Sequence, residues 1–334
     1  MLQSATTQIG VLGTGSYLPT QVRTNDEVAS RFDIGGDWIT EKTGISERRV
    51  AAPDQATSDL AVQAGRRALE AAGLRPQDLD LLVVATSTPD SSQPATACLV
   101  QAQLGATCAA FDINAVCTGF VYATTVAAAT LRGAPALSHA LVIGADTFSR
   151  IIDPDDRATS VLFGDGAGAV VLGPVPDGYG IIASDLGADG TQHDLVKVPA
   201  GGSRKPACAA TVDNGDHHFK MHGRGVRDFV WQRVPACVHA TLEASQLCTD
   251  DLDLVIPHQA NGRLVNDCLV SLDLRPDQIH YTLERYGNTG AASVAVTLDD
   301  AVDAVGIQDG DNVLLLGFGG GMTWGGAILR WYEP

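Results

Sequence analysis

The chain contains a copy of part of itself. Residues Leu69 to Val84 read LEAAGLRPQDLDLLVV, and Leu242 to Pro257 read LEASQLCTDDLDLVIP; they align without a gap when the first is displaced by 173 positions. The same displacement lays Ala140 to Gly144 (ALVIG) on Val313 to Gly317 (VLLLG). Two matches in one register imply a duplicated unit of about half the chain. Such a unit has two faces to cover, so the halves are expected to pack against each other as one compact body. The division is drawn at 1–173 and 174–334.

Within each half, strands alternate with helices. Thr57 to Ala72 has apolar residues at helical spacing and stops at Gly73. Leu81 to Ala85 is a short unbroken apolar run, as a strand buried on both faces requires. Ala109 to Ile113 reads as a further strand and Cys117 to Leu131 as an Ala-rich helix. The second half offers a helix at Val226–Glu243 and a strand at Leu254–Pro257, then a helix from about Asn288 to Val305 and a strand at Asn312–Phe318. This pattern is layered α/β. Asp189 to His218 is the expected irregular excursion. The displacement also sets Cys117 opposite Gly290, just after Asn288, so two helix starts are expected near one pseudo-twofold axis.

Composition removes several classes of function. Hydrophobic residues make up 45% and charged residues 18%, which supports a sizeable core and argues against disorder. The net charge of −17 opposes nucleic acid as the main partner. No apolar run approaches the roughly 18 residues that span a bilayer, and Met1 to Ile9 lacks the pattern of a secretory signal. The seven cysteines form no C-x-x-C pair and have no histidines at ligand spacing, so reduced thiols, no metal and a cytoplasmic location are expected.

Four places can carry chemistry. Cys117 stands between a strand and a helix start, where free N–H groups and the helix dipole favour a thiolate and lower its pKa; the competing role is an inert buried cysteine. His258 ends the Leu254–Pro257 strand, where open α/β sheets gather ligands; the competing role is a satisfied structural histidine. Asn288, in YGNTGAAS, suits either a helix N-cap or an amide donor to an oxyanion. Gly317 to Gly325 (GFGGGMTWG) allows close backbone approach to a reacting carbonyl and also a tight hairpin before Gly326–Tyr332. The glycines of Gly10–Gly15 and Gly164–Gly168 complete no phosphate-binding fingerprint and are expected to serve close packing of strands across the repeat.

Taken in order, GTGSYLP (Gly13–Pro19), DWITEKTGISERR (Asp37–Arg49), DPDDRATSVLFGDGAGAVVL (Asp153–Leu172), PHQANGR (Pro257–Arg263), GNTGAAS (Gly287–Ser293) and FGGGMTWG (Phe318–Gly325) resemble the β-ketoacyl-acyl-carrier-protein synthase III family of the thiolase superfamily. The resemblance covers nearly the whole chain. It implies a thiolase-like five-layered αβαβα fold and a homodimer. It implies that Cys117 takes an acyl group from acyl-CoA, with no permanently bound cofactor. His258 and Asn288 would then assist loss of carbon dioxide from a malonyl thioester, and the Cys117 and Gly320 N–H groups would face the oxyanion. Trp38 and Arg157 match the residues flanking the adenine of coenzyme A. The resemblance further implies substrate or coenzyme A binding by Lys42, Arg224, Gln259, Asn261 and Arg263.

The chain also departs from the family's pattern. Lys42 stands where arginine is usual, and Gln93 where an apolar residue shapes the acyl pocket across the dimer. Arg224 and Arg227 replace neutral or apolar residues and are candidates for holding a carboxylate or for forming surface ion pairs. Leu264 to Asp273 has no Lys or Arg, whereas housekeeping members carry basic residues there for acyl carrier protein. Three readings follow: chain initiation in fatty acid or polyketide synthesis, a related condensing enzyme or acyltransferase with a non-carrier acceptor, and a non-catalytic acyl-CoA binder.

Overall fold

The structure is a computed structural model that describes residues 7–333. The first six residues, on which most of the reading of the N-terminus rests, lie outside it. Strands β1 (Gln8–Tyr17), β2 (Leu81–Ala85), β3 (Ala109–Ile113), β4 (Ala140–Thr147) and β5 (Asp165–Val175) form one sheet in the order β1-β5-β4-β2-β3. Strand β2 runs parallel to β3 and β4, while β5 is antiparallel to β4 and β1. The second sheet holds β6 (Gly180–Ala188), β7 (Leu254–Pro257), β8 (Asn312–Gly319) and β9 (Thr323–Arg330) in the order β7-β8-β9-β6. Its remaining place, corresponding to β3, is marked by a single parallel bridge from Val255 to Ile279.

The helices used below are α1 (Gly36–Thr43), α2 (Thr57–Ala71), α3 (Thr96–Leu104), α4 (Gly119–Gly133), α5 (Arg157–Ser160), α6 (Gly223–Ser245), α7 (Gly262–Val270) and α8 (Ala292–Ala304). Helices α2 and α3 cover the outer face of the first sheet. Helices α4 and α8 fill the middle, and α6 and α7 cover the outer face of the second sheet. The result is five layers, αβαβα. Alternation along the strands decides which layer each side chain enters: Leu81, Val83 and Ala85 face the central helices, whereas Leu82 and Val84 face α2 and α3. Each fully buried Val or Leu of this kind contributes roughly 1.5–3 kcal/mol.

The 173-residue displacement survives folding. It carries β2 onto β7, β4 onto β8, and the first residue of α4, Gly119, onto the first residue of α8, Ala292. The two helices meet near these starts: a β-carbon on Gly119 would lie 3.6 Å from that of Ala291. Two boundaries differ from expectation. Strand β5 runs on to Val175, so a division at 173 falls inside it, and the chain passes between the sheets at residues 176–179. Helix α8 begins at Ala292 rather than near Asn288, because Gly287 and Gly290 have positive φ and break the helical path. Gly10 meets Gly180 at the start of β6 in the other half, as expected, with a β-carbon at Gly10 3.0 Å from Gly180 Cα, whereas Gly13, Gly15 and Gly168 pack against helices; a β-carbon at Gly168 would lie 2.5 Å from the Val296 nitrogen of α8.

Candidate active site

Cys117 lies in a 3-10 turn, Val116–Thr118, between β3 and α4, so α4 starts two residues later than expected. Val116 has φ 48, a strained value for a β-branched residue. Its N–H donates to Asn114 Oδ1 (3.2 Å). The turn is pinned to the β8–β9 hairpin, where Thr323 Oγ1 donates to Ala115 O (3.2 Å) and lies 2.9 Å from Thr118 Oγ1. Gly319 backs directly onto Cys117, and Gly320 faces Val116 and Val196. The expectation of an acidic thiol does not hold for this enclosed site. Burial pushes the Cys117 thiol well up and the Asp146 carboxylate adds to this, against a backbone N–H that lowers it.

His258 follows β7. Its N–H donates to Leu316 O (2.7 Å), its ring meets Phe318 edge-on at 5.1 Å, and its Nδ1 lies 2.6 Å from Ser293 Oγ. Burial lowers its pKa to about 3, so the imidazole is neutral at physiological pH. Asn288 is held by its backbone: its N–H donates to Leu162 O (2.8 Å) and its carbonyl accepts from Gly164 N–H (3.0 Å). Its Oδ1 accepts from Gly290 N–H (2.9 Å), which sets the amide so that Nδ2 remains as donor. Asn288 is therefore not the N-cap of α8; that position is Ala291, whose N–H donates to Asp146 Oδ2 (2.8 Å).

Two side chains in this framework escaped sequence reasoning. Asp146, at the end of β4, is fully buried and accepts six hydrogen bonds, from Thr86, Ser87, Thr88 and Ala291. Burial still pushes its carboxyl up. The repeat held a signal for it, since Asp146 displaced by 173 is Gly319, the residue behind Cys117. Arg48 is also buried; its Nη2 donates to Val161 O and its Nη1 to Asn25 Oδ1 (both 2.8 Å). It braces the segment that carries Leu162 and Gly164 to Asn288.

A cleft of about 870 Å³ has Asn288 in its wall together with Trp38 and Lys42 of α1, Arg157 of α5, Arg227 and Trp231 of α6, and Asn261 and Arg263. Arg157 lies over the Trp38 ring, 5.3 Å from its centroid, a cation–π contact. Asn261 caps α7 through Leu264 N–H (3.1 Å) and donates to Lys42 O (3.2 Å), joining two walls. Two expected binding residues are elsewhere. Gln259 is a buried brace: its Nε2 donates to Pro257 O, and its Oε1 accepts from Thr282 and Leu283 N–H, leaving it committed to backbone. Arg224 is exposed on the first turn of α6 and does not line the cleft, whereas Arg227, one turn on, does. Trp231 was not anticipated.

Comparison with known proteins accords with this geometry. Residues 111–190 match the family model for 3-oxoacyl-[acyl-carrier-protein] synthase III, and residues 242–331 match the model for its C-terminal part. The β-ketoacyl-[acyl-carrier-protein] synthase III of Caldanaerobacter subterraneus subsp. tengcongensis is 48% identical over 323 residues, which cover 96% of this chain and 97% of that protein. The chain belongs to the synthase III family. Another relative, the acetoacetyl CoA synthase of Streptomyces sp. (strain CL190), is 50% identical over 326 residues, covering 96% of this chain and 98% of that protein. Among solved structures, the synthase III of Pseudomonas aeruginosa PAO1 superposes with a TM-score of 0.89 at 38% identity, covering 98% of this chain and 99% of that one. The fold is thus the thiolase-like fold of synthase III. The chain is a condensing acyltransferase, and its reaction is the decarboxylative Claisen condensation that starts fatty acid or polyketide chains.

Proposed function

We propose that Cys117 is the nucleophile of this synthase and that acyl-CoA is the primer, with no resident cofactor. The observation that carries this reading is the cleft running from the Trp38–Arg157 pair to Asn288, with Cys117 and His258 around the end of β8. The Cys117 sulfur attacks the acyl thioester carbonyl while backbone N–H groups of Cys117 and Gly320 receive the oxyanion. Coenzyme A leaves as a thiol and takes up the proton that Cys117 loses. A malonyl thioester then enters. Its carbon–carboxylate bond breaks, carbon dioxide departs, and the electron pair becomes an enolate whose oxygen accepts hydrogen bonds from His258 and Asn288. The enolate carbon attacks the acyl-cysteine carbonyl and expels the Cys117 thiolate, which is reprotonated. Trp38 and Arg157 part to admit adenine, and Lys42 and Arg263 attract phosphate. The protein acts as a cytoplasmic homodimer. Intact-mass measurement after mixing with a panel of acyl-CoAs tests the first step: one acyl group per chain, mapped to Cys117 and lost in Cys117→Ala, is expected. An acyl group on another cysteine overturns the assignment of Cys117, and no acyl group on any overturns it in favour of a binder.

The charge distribution favours a second element of the reading, a malonyl group carried on coenzyme A rather than on acyl carrier protein. Helix α7 has Arg263 as its single cation, and Asp267 lies on the same helix. Lys42, Arg157, Arg227 and Arg263 line the cleft against Asp156 and Asp267, in a chain of net charge −17. An acidic carrier protein is repelled by the chain as a whole, whereas a small polyphosphate ligand meets four cations locally. The acetoacetyl CoA synthase among the relatives accords with this choice. Turnover with malonyl-CoA and malonyl-carrier protein, compared across ionic strength, is the test. Preference for the carrier, with rates falling as salt rises, would restore carrier docking.

A further inference from the structure

We infer that Ser293 is a positioning residue that holds His258 in the tautomer with its proton on Nε2. The inference rests on the reading of His258 as a hydrogen-bond donor to the enolate oxygen, and it supplies the reason that this imidazole presents a donor. A neutral histidine carries one ring proton, and the partner of one nitrogen decides where it sits.

The geometry restricts the choice. Ser293 Oγ lies 2.6 Å from His258 Nδ1 and also receives the Gln259 backbone N–H at 3.4 Å. Ser293 and His258 are 1% and 2% exposed, so bulk water does not satisfy either group. If Nδ1 carried the proton, the serine oxygen would accept two N–H groups. Its own hydroxyl proton would then have no acceptor among the described residues, a costly state for a buried group. If the serine donates to Nδ1, both polar groups are satisfied and the ring proton lies on Nε2. The serine is fixed for this task by α8: its N–H donates to Gly290 O (3.2 Å), and its carbonyl accepts from Thr297 Oγ1 (2.7 Å). The histidine is fixed independently by its N–H to Leu316 O and by the edge contact with Phe318. The Gly290 N–H performs the matching service for Asn288 by engaging Oδ1. The first turn of α8 and the loop before it thus set both donors.

The test uses full-length protein with 15N-labelled histidine, read by two-bond proton–nitrogen correlation, with His258→Gln to identify the signal among eight histidines. Wild type is expected to show the Nε2–H pattern. Ser293→Ala should move His258 toward Nδ1–H or a mixture. It should slow malonyl decarboxylation about tenfold or more, because a misplaced proton offers no donor, while Cys117 acylation changes by less than about threefold. Ser293→Thr, which keeps the hydroxyl, should retain both the pattern and the decarboxylation rate; it carries the test if the alanine variant does not fold. An Nδ1–H pattern in wild type, or an unchanged pattern and rate in Ser293→Ala, overturns the inference. If His258→Ala decarboxylates normally, the donor reading itself fails, while the tautomer signal of the wild-type protein still reports on Ser293.

Discussion

Gly319 lies so close to Cys117 that a β-carbon at position 319 would stand 2.9 Å from both the backbone nitrogen and the Cβ of Cys117. The duplicated half repeats the relationship with the partners exchanged. Gly290, which corresponds to Cys117, faces Asp146, which corresponds to Gly319, and a β-carbon at Gly290 would overlap the Asp146 carboxylate. One pair thus sets the backbone and Cβ of a cysteine against a glycine, and the other sets a carboxylate against a glycine. Gly319→Ala should cost about 1–3 kcal/mol of stability, because the obstructing atoms include backbone. It should also reduce Cys117 acylation more than coenzyme A binding. Thermal melts and burst-phase acylation measure the two; full acylation in the variant would show that the turn has room to move.

Asp146 raises the Cys117 thiol pKa in addition to the larger effect of burial. Asp146→Asn removes that charge, so iodoacetamide should alkylate Cys117 faster at pH 8 in the folded variant. The same change turns an acceptor into a donor among groups that all donate, and should cost about 1–3 kcal/mol. An alkylation rate that fails to rise in folded protein would mean that the carboxylate does not act on the sulfur.

His258→Ala and Asn288→Ala divide the two half-reactions. Loss of an oxyanion donor commonly costs on the order of 10²–10³ in rate, and that loss should appear in malonyl decarboxylation more than in Cys117 acylation. Carbon dioxide release and intact-mass acylation follow the two steps separately. Equal losses in both would mean that the roles are wrongly divided.

Burial of His258 makes folding stability depend on pH. Its pKa falls from 6.5 to about 3 in the folded state, so between those values the unfolded chain binds a proton that the folded chain refuses. Stability from this group is therefore complete above pH 6.5 and declines as pH falls, by up to about 1.4 kcal/mol per unit. His258→Asn should flatten the dependence measured by urea unfolding between pH 7.5 and 5. An unchanged slope would show that the imidazole is protonated in the folded protein.

Much of the framework was legible along the chain. The strands Leu81–Ala85 and Leu254–Pro257 lie where apolar runs placed them, because a strand buried on both faces must be continuously apolar; Ala109–Ile113 is also a strand as read, but an exposed one at the edge of its sheet. The duplication indicated two related sheets and two related helix starts, and the motifs around Cys117, His258 and Asn288 indicated the chemistry. Helix starts were less legible, since Gly287 and Gly290 sit in a motif that reads equally as loop or cap.

What local sequence determined was element type and residue identity, both set by periodicity and neighbouring turn residues. Tertiary structure decided what each polar group faces. Gln259 and Asn261 lie two residues apart in one motif, yet one is committed to backbone and the other joins the cleft walls. Arg224 and Arg227 share a helix, and its rotation admits only the second to the cleft. The carboxylate that crowds Gly290 and meets the start of α8 comes from a strand 145 residues earlier. The Cys117 thiol is pushed up rather than down because desolvation depends on everything packed around the sulfur, while a helix start is a local feature. Hydrogen-bond partners and burial are properties of segments distant in sequence, and folding alone brings those segments together.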